Sequence, residues 1–262
     1  DIDYKGTVEV TGNVTTGFAV KAEGDIIVNG VVEGATLVSG GNIVLKRGMQ
    51  GMDRGMLQAE GNITAKFLEN CKVRCKGMLK ADAILHSDVE CQENVDILGK
   101  KGLINGGSLS TYADVHATTL GSTMGASTKI KIISDKELII RANEIKEEVE
   151  NKEETLRKID EVVNRVKGQL ASNQEVLPEQ MNYLKQATVN KPLLVKQIRE
   201  LREEREKLLV RIEKNKHSCI RVEGAVYSGI DITVKDVSKI QHEQVSHCRF
   251  VRDGADVRIV GL

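Results

Sequence analysis

The chain has 262 residues, and its 38 Lys and Arg residues balance its 38 Asp and Glu residues. Because this balance leaves no net field that would attract nucleic acid or an anionic membrane, neither is predicted as a partner. Aromatic residues make up only 3% of the chain and Trp is absent, which excludes a core built on large rings and favours thin aliphatic layers.

The sequence predicts a cytoplasmic protein. No apolar run approaches the roughly 20 residues that a membrane helix needs, and no secretory leader opens the chain. Five cysteines without the spacing of a disulfide framework are typical of a reducing compartment. Because the first residue is Asp1 rather than Met, we expect the chain to be a fragment of a longer protein.

Short apolar runs repeat along the first half of the chain. A sixteen-residue register places Ile63, Leu79 and Val95 in one column, and apolar residues alternate within each run as in a strand. This combination predicts a solenoid over residues 1–134 and 217–262, ending in further coils or a short terminal sheet. Coils of 16 to 20 residues without a sustained hexapeptide pattern favour a right-handed parallel β-helix over the left-handed type.

Two columns of small residues mark the predicted corners of the coils. Glycine followed by Asn or Asp recurs at Gly12, Gly24, Gly41 and Gly61, and the sixteen-residue register places Gly77 in the same column as Gly61. Both Gly and Asn tolerate a left-handed backbone at low cost, so we expect that conformation there. Two positions before such corners lie residues that we predict to form an inward-facing ladder of small side chains: Ala22, Ser39, Ala59, Cys75 and Cys91.

Between residues 135 and 216 the apolar period changes to alternating steps of four and three, which is typical of a coiled-coil seam. The predicted seam contains Ile145, Val149, Leu156, Ile159, Val163, Val166, Leu170, Leu184, Leu194, Ile198, Leu201, Leu208 and Ile212. The two arms are similar in length and strand patterns flank them, which predicts an antiparallel hairpin inserted into the solenoid. Its tip falls at residues 172–178, and Pro192 is expected to kink or split the second arm.

The cysteine and histidine residues are potential metal ligands, so a metal-binding structural protein is kept as an alternative. Cys71 and Cys75 form a single close pair, whereas structural zinc sites usually contain two such pairs. Column alignment instead predicts that these thiols are buried small residues. No metal and no cofactor is predicted, although the sequence leaves open whether a metal binds to a C-terminal group: His217, Cys219, His242, His247 and Cys248.

No catalytic residue is predicted. His86-Ser87-Asp88 is consecutive, whereas a Ser-His-Asp triad is assembled from separate segments, so we predict a turn. Gly99-Lys100-Lys101-Gly102 lacks the spacing of a phosphate-binding loop and is interpreted as a basic turn. Because Asp82, Asp88 and Asp96 do not share a column, a polysaccharide-acting β-helix enzyme is kept only as an alternative.

Several segments resemble the bacterial flagellar assembly protein A family. They are, in chain order, GDIIVNGVVEGATLVSGGNIVLKRGMQG, AEGNITAKFLENCKV, AILHSDV, GKKGLINGG and VEGAVYSGIDITV. The resemblance extends over nearly the whole chain and includes the coiled-coil insertion. It departs from the family at Cys75 and Cys91, where members more often have Ala.

The resemblance implies a cytoplasmic, noncatalytic scaffold in flagellar assembly, placed at the cell pole. It also implies protein partners, namely a polar landmark protein and a sugar-phosphotransferase component, and an N-terminal domain that we expect to be missing from this chain. From the residues themselves we predict homo-oligomers through the ends or faces of the β-helix, because a solenoid end is an open strand edge. The charged hairpin surface is interpreted as a partner-docking arm.

Overall fold

The computed structural model describes residues 1–172 and 175–262. The chain divides into two compact units, one formed by residues 1–134 and 215–262 and the other by residues 135–214. Part of the predicted hairpin tip, positions 173 and 174, lies outside the described residues.

The first unit is built from short strands separated by tight corners. Up to residue 132 these strands are β1 (Ile2–Tyr4), β2 (Val8–Val10), β3 (Ala19–Ala22), β4 (Ile26–Val28), β5 (Val31–Glu33), β6 (Thr36–Ser39), β7 (Ile43–Leu45), β8 (Gly48–Ala59), β9 (Ile63–Thr64), β10 (Phe67–Cys75), β11 (Leu79–Ala81), β12 (Ala83–Cys91), β13 (Val95–Ile97), β14 (Leu103–Thr111), β15 (Val115–Ala117), β16 (Thr119–Leu120) and β17 (Thr128–Ile132). Two helices follow, α1 (Lys136–Ala171) and α2 (Pro178–Asn215). The strands then resume as β18 (Ile220–Val226), β19 (Ile230–Val234), β20 (Val237–Gln241), β21 (Val245–Asp253) and β22 (Asp256–Gly261).

The strands stack in three parallel ladders. One ladder contains β1, β3, β6, β8, β10, β12, β14, β17 and β19. A second contains β2, β4, β7, β9, β11, β13, β15 and β18. The third contains β5, β8, β10, β12, β14, β16 and β18. Because the chain visits the ladders in turn and the longer strands bend into two of them, the unit is a parallel β-solenoid.

The predicted strand register is confirmed. Leu79 pairs with Ile63 on one side and with Val95 on the other. In most strands alternate side chains point inward, and Ile26, Ile43 and Leu79 are fully buried. Each coil therefore adds one thin aliphatic layer to the layer before it, which explains how the core is filled with so few aromatic rings.

The last strands close one end of the solenoid in a different way. β20 pairs with β19, β21 pairs with β18, and β22 pairs with β21, and all three pairings are antiparallel. These strands bury Cys248, Phe250 and Val257. The sequence predicted either further coils or a short terminal sheet after the helices, and both are present. Strands β18 and β19 continue the ladders, while β20 to β22 form a short terminal sheet that covers their edge.

The second unit contains the two helices, of 36 and 38 residues. At about 1.5 Å per residue, each is roughly 55 Å long. Contacts between them join early residues of α1 to late residues of α2: Arg141 Nη2 lies 3.0 Å from Glu204 Oε1, and Lys152 Nζ donates to Gln197 Oε1 at 3.2 Å. The helices therefore run in opposite directions.

The expectation that Pro192 splits the second arm is wrong. α2 continues through Pro192 without a break. A proline removes one helical hydrogen bond, while Ala187 before it and Ile198 after it are both buried. Packing on both sides of the proline holds the helix together, since tertiary contacts supply most of the stability of a helix in a protein.

Candidate functional surfaces

The corner glycines form a hydrogen-bonded column on one side of the solenoid. The amide of Gly24 donates to Gly6 O at 3.1 Å, Gly41 to Gly24 O at 3.2 Å, Gly61 to Gly41 O at 2.8 Å and Gly77 to Gly61 O at 2.9 Å. The first member of this column is Gly6, which was not predicted because no Asn or Asp follows it and because it lies outside the sixteen-residue register. Gly12 lies at a different corner, where its carbonyl accepts from Gly30 at 3.1 Å.

These glycines are required by a close approach and not by a left-handed backbone. Gly24, Gly41, Gly61 and Gly77 are not among the residues with positive φ, so that expectation is wrong. A Cβ on Gly41 would lie 2.2 Å from Asp25 Oδ1, and one on Gly61 would lie 2.6 Å from Asn42 Oδ1. The side chain of the preceding coil fills the space that a larger residue would need.

The crowding side chains form a ladder of their own. Asp25 Oδ1 accepts from the Asn42 amide at 2.6 Å, Asn42 Oδ1 from the Asn62 amide at 2.8 Å, and Asn62 Oδ1 from the Met78 amide at 2.7 Å. Each side chain thus satisfies a corner N–H of the next coil. The series stops at Met78 because its side chain has no oxygen to accept a hydrogen bond from the next coil.

Side-chain oxygens also accept hydrogen bonds from corner amides in later coils, including one pair of residues on opposite sides of the helical insertion in the sequence. Asn94 Oδ1 accepts from the Asp114 amide at 3.3 Å, and Asp114 Oδ1 accepts from the Cys219 amide at 2.8 Å. Asp114 and Cys219 are 105 residues apart. The corner geometry is therefore continued by the first residues after the helices.

The small residues of the second column lie side by side. Adjacent strands pair Ala22 with Ser39, Ser39 with Ala59, Ala59 with Cys75 and Cys75 with Cys91, and all five are buried. Their polar atoms donate to the corner of the preceding coil: Ser39 Oγ to Gly24 O at 2.7 Å, Cys75 Sγ to Gly61 O at 3.2 Å and Cys91 Sγ to Gly77 O at 3.0 Å. The thiols thus take the place of a hydroxyl.

The next coil shows the hydroxyl version of this contact. Thr111 Oγ1 donates to Glu93 O at 2.6 Å, and the side chain is fully buried. Thr111 was not predicted as a member of the column because the coil between Cys91 and Thr111 is four residues longer than the preceding one. Small size and a hydrogen-bond donor are the features that its members other than alanine share.

The cysteine chemistry is that of protonated core thiols. Burial raises the pKa of Cys71 to about 11. The neighbouring Cys75 thiol and burial raise the pKa of Cys91, and burial raises the pKa of Cys219 and of Cys248. Because the thiolate is the nucleophile and the metal ligand, these four thiols are weak in both roles at neutral pH. Cys75 differs, since its hydrogen bond with Cys91 lowers its pKa. Across residues 1–172 and 175–262, no three His, Cys, Asp or Glu residues are grouped to hold a metal ion.

His86, Ser87 and Asp88 occupy a second corner. His86 has φ +47°, as does Asn70 one coil earlier, so both adopt the left-handed conformation. Ser87 Oγ donates to Leu85 O at 2.8 Å and accepts from the Cys71 amide at 3.2 Å. These contacts tie the hydroxyl to the backbone of two coils, and Asp88 accepts from Ser108 Oγ at 2.8 Å.

The three aspartates considered for carbohydrate chemistry lie on different parts of the solenoid. Asp82 lies at the corner between β11 and β12, Asp88 lies in β12, and Asp96 lies in β13. Asp96 Oδ1 is 3.3 Å from His116 Nδ1 in the next coil. Strands β12 and β13 belong to different ladders, so these carboxylates do not line one groove.

An open crevice of about 380 Å³ runs beside the cysteine column. Its charged walls are paired between coils: Arg74 Nε is 3.3 Å from Glu90 Oε2, and Lys76 Nζ is 2.6 Å from Glu60 Oε2. Exposed pairs of this kind contribute little stability, so an incoming partner can exchange them at low cost. The crevice is a candidate contact surface of the solenoid unit.

The helical unit has a narrow apolar seam. Ile145, Val149 and Ile198 are buried there. Partly buried leucines pack against them: Leu156, Leu194, Leu201 and Leu208. Val166 is also buried, Leu170 is 40% exposed, and four residues lie partly buried: Ile159, Val163, Leu184 and Ile212. Outside this seam, α1 and the second half of α2 present mainly charged side chains, whereas the first half of α2 also exposes Tyr183, Leu193 and Val195. These outer faces are the second candidate contact surface.

Among the described residues, no helix has the length and apolar character required to cross a membrane.

One comparison with known proteins identifies a family. Neither a curated protein nor a solved structure matches the chain. Residues 1–257 match the family model described as the flagellar assembly protein A beta solenoid domain. The chain therefore belongs to the flagellar assembly protein A β-solenoid family.

Proposed function

We propose that this chain is a noncatalytic scaffold that assembles or positions flagella through protein–protein contacts. The observation that carries the proposal is the family match over residues 1–257. It is supported by the way the chemistry-bearing residues are used, since the Ser87 hydroxyl and the Cys75 and Cys91 thiols are hydrogen-bonded to the backbone in coil corners. These groups are employed in building the solenoid.

The proposal includes a right-handed β-helix and an antiparallel coiled-coil arm. The steps of three and four along the seam, and the packing of Leu194, Leu201 and Leu208 against it, support the coiled coil. Cross-helix pairs such as Arg141 with Glu204 support the antiparallel orientation. In this proposal the charged helical surface is a docking site for other proteins.

The proposed location is the cytoplasm at the cell pole. The proposed partners are a polar landmark protein and a sugar-phosphotransferase component, both carried over from the family resemblance. We further propose that copies of the solenoid associate through its faces or through the end formed by its first strands. The C-terminal edge is unsuited to this role because β18 and β19 already have antiparallel partners.

A gene replacement in the native bacterium tests this function. A variant lacking residues 135–214 removes the helical unit, and we expect misplaced or fewer flagella in electron micrographs and a diffuse fluorescent fusion. The purified variant must keep the strand spectrum in circular dichroism. Wild-type flagellation in cells carrying a folded variant would contradict the docking-arm role.

A matched variant tests the enzyme alternative in the same cells. Asp88→Asn and Asp96→Asn together remove two carboxylates while keeping side-chain volume. A scaffold tolerates this change, so we expect normal flagellar number and position. Loss of flagella with an intact fold would favour chemistry at these carboxylates over scaffolding.

A further inference from the structure

The helix α2 carries a second regular stripe on the face turned away from α1. Val189, Lys196, Glu203 and Val210 are spaced by seven residues, and we call this set the outer stripe. Each member follows by two positions a residue that is buried or partly buried: Ala187, Leu194, Leu201 and Leu208. Two positions correspond to about 200° around a helix, so the outer stripe points away from the seam.

The outer stripe is exposed along its whole length. Val189 is 73% exposed and Val210 is 60% exposed. The side chains of Lys196 and Glu203 are 61% and 64% exposed. Their ion-pair partners on the same helix, Glu200 and Arg199, lie 3.8 and 3.9 Å away. Long, exposed pairs within one helix are weak and can be exchanged for pairs with another chain.

Charge is distributed unevenly along α2. Residues 180–199 contain no carboxylate and have four cations: Lys185, Lys191, Lys196 and Arg199. The next seven residues, 200–206, contain four carboxylates (Glu200, Glu203, Glu204 and Glu206) and two arginines. Both arginines contact α1, where Arg202 pairs with Glu153 and Arg205 donates to Ala142 O. The basic part and the acidic part therefore meet between Arg199 and Glu200, which is also the midpoint of the outer stripe.

We propose that the outer stripe is a homodimer interface in which two α2 helices pack antiparallel about a two-fold axis between Arg199 and Glu200. This arrangement places Val189 of each copy against Val210 of the other. It places Lys196 against Glu203 of the second copy and Arg199 against Glu200 of the second copy. Every contact occurs twice, so one helix face supplies two apolar pairs and four ion pairs.

The order of the residues favours a second copy over other occupants. An anionic lipid surface or an acidic protein would be attracted to Lys196 and Arg199 but repelled by Glu200 and Glu203 in the same stripe. A second copy in antiparallel orientation satisfies both halves. The valines at the two ends lie symmetrically about the same midpoint, which is the self-complementarity that a two-fold interface requires.

Charge-swap variants of the full chain test the interface by sedimentation equilibrium. The wild type is expected to form a concentration-dependent dimer that weakens in high salt. Lys196→Glu and Glu203→Lys should each raise the dimer dissociation constant by about tenfold or more, because each reversal acts at two symmetric contacts. The double variant K196E/E203K should recover the wild-type constant to within about threefold, since it restores opposite charges.

Lys158→Glu is the matched control. Lys158 has a 71% exposed side chain and an ion pair with Glu154 at 2.7 Å on α1, so its reversal should leave the dimer constant unchanged. A wild type that stays monomeric at the highest concentration overturns the proposal. A dimer that is indifferent to both single reversals overturns it as well.

Cross-linking fixes the orientation. A mixture of V189C and V210C proteins should form a disulfide-linked dimer under mild oxidation. Neither variant alone should do so, because positions 189 and 210 are about 32 Å apart along the helix at 1.5 Å per residue. Efficient cross-linking of V189C by itself would indicate a parallel pair and contradict the two-fold arrangement. Binding of a monomeric wild type to anionic vesicles would assign the stripe to lipid instead. These outcomes do not depend on the flagellar role.

Discussion

The solenoid and the helical pair stabilise themselves by different means. In the solenoid, almost every inward side chain from Ile26 to Val234 is less than a tenth exposed and belongs to one continuous core. Among the described residues of the helical pair, the buried cluster consists of Ile145, Val149 and Ile198. Elsewhere on the helices, ion pairs form between exposed side chains.

This contrast indicates which unit fixes geometry and which unit responds to its surroundings. Aliphatic burial is insensitive to pH and salt, whereas a narrow seam flanked by exposed charges depends on both. Local opening also follows burial, since segments with few buried contacts unfold at lower free energy. We therefore expect the solenoid to be the rigid unit and the helical pair to be the adjustable unit.

The largest predicted effect is a cavity in the solenoid core. Leu79 is fully buried between Ile63 and Val95, so Leu79→Ala should lower the free energy of unfolding by about 2–5 kcal/mol. Urea denaturation followed by tyrosine fluorescence measures this loss, because three of the four tyrosines lie in the solenoid. Val195→Ala, at an exposed position of α2, should change stability by less than about 0.5 kcal/mol. Equal effects at the two sites would remove the contrast between the units.

The parallel solenoid was predictable because its signature is local and repeated. Ile63, Leu79 and Val95 recur at a fixed spacing, and each occupies an equivalent place in its own coil. The length of the helical insertion was equally visible, because the apolar period changes at its borders. Neither inference needs knowledge of which strands meet in space.

The physical cause of the corner glycines was not predictable from the sequence. Glycine followed by Asn is compatible with a left-handed turn, but the restriction at Gly61 comes from Asn42 in another coil. The stability of α2 through Pro192 likewise depends on packing against α1. Contacts between distant parts of the chain decided both cases, and the composition of one segment does not contain them.

A second prediction compares a glycine-to-alanine substitution in the solenoid with one in the helical pair. Gly61→Ala should cost about 1–3 kcal/mol, because its Cβ would lie 2.6 Å from Asn42 Oδ1. Gly168→Ala in α1 should instead stabilise by about 0.5–1 kcal/mol, since alanine is the better helix former and nothing lies within 4 Å of its Cβ. Tyrosine fluorescence reports the first change, and circular dichroism at 222 nm reports the second.

Asn42→Ala provides the control for the close approach. In the double variant with Gly61→Ala, removal of the Asn42 oxygen should relieve the clash. The double variant should therefore lose less free energy of unfolding than the two single variants lose in total. Strict additivity would show that Gly61 is required for a reason other than the Asn42 side chain. A loss in the Gly168→Ala variant would mean that the helix is constrained at that point by contacts of its own.

A third prediction concerns alkaline pH and applies to the solenoid. The pKa of Cys71 is raised by burial from near 9 to about 11. Because the folded state holds this proton more tightly than the unfolded state, the full stability is present below pH 9 and is lost as the pH rises towards 11. Between pH 8 and pH 10.5 the loss from this thiol should be about 1–2 kcal/mol. Cys71→Ser, which places a neutral hydroxyl beside Ser87, should show a correspondingly smaller loss. Identical pH profiles for the two proteins would contradict the burial of this thiol in the folded state.

The smallest predicted effect lies in the helical pair and is removed by salt. Lys191 forms an ion pair with Asp160 across the two helices, and both side chains are more than a third exposed. Lys191→Gln should therefore cost only about 0.2–1 kcal/mol in dilute buffer. At 1 M salt the screening length is about 3 Å, so the cost should vanish, whereas the loss in Leu79→Ala should persist. Thermal unfolding of both variants, followed at 222 nm and by tyrosine fluorescence in low and high salt, measures the two effects together. A salt-independent loss in Lys191→Gln would mean that the lysine stem packs in the seam, and the helical pair would then share more of the stabilising chemistry of the solenoid.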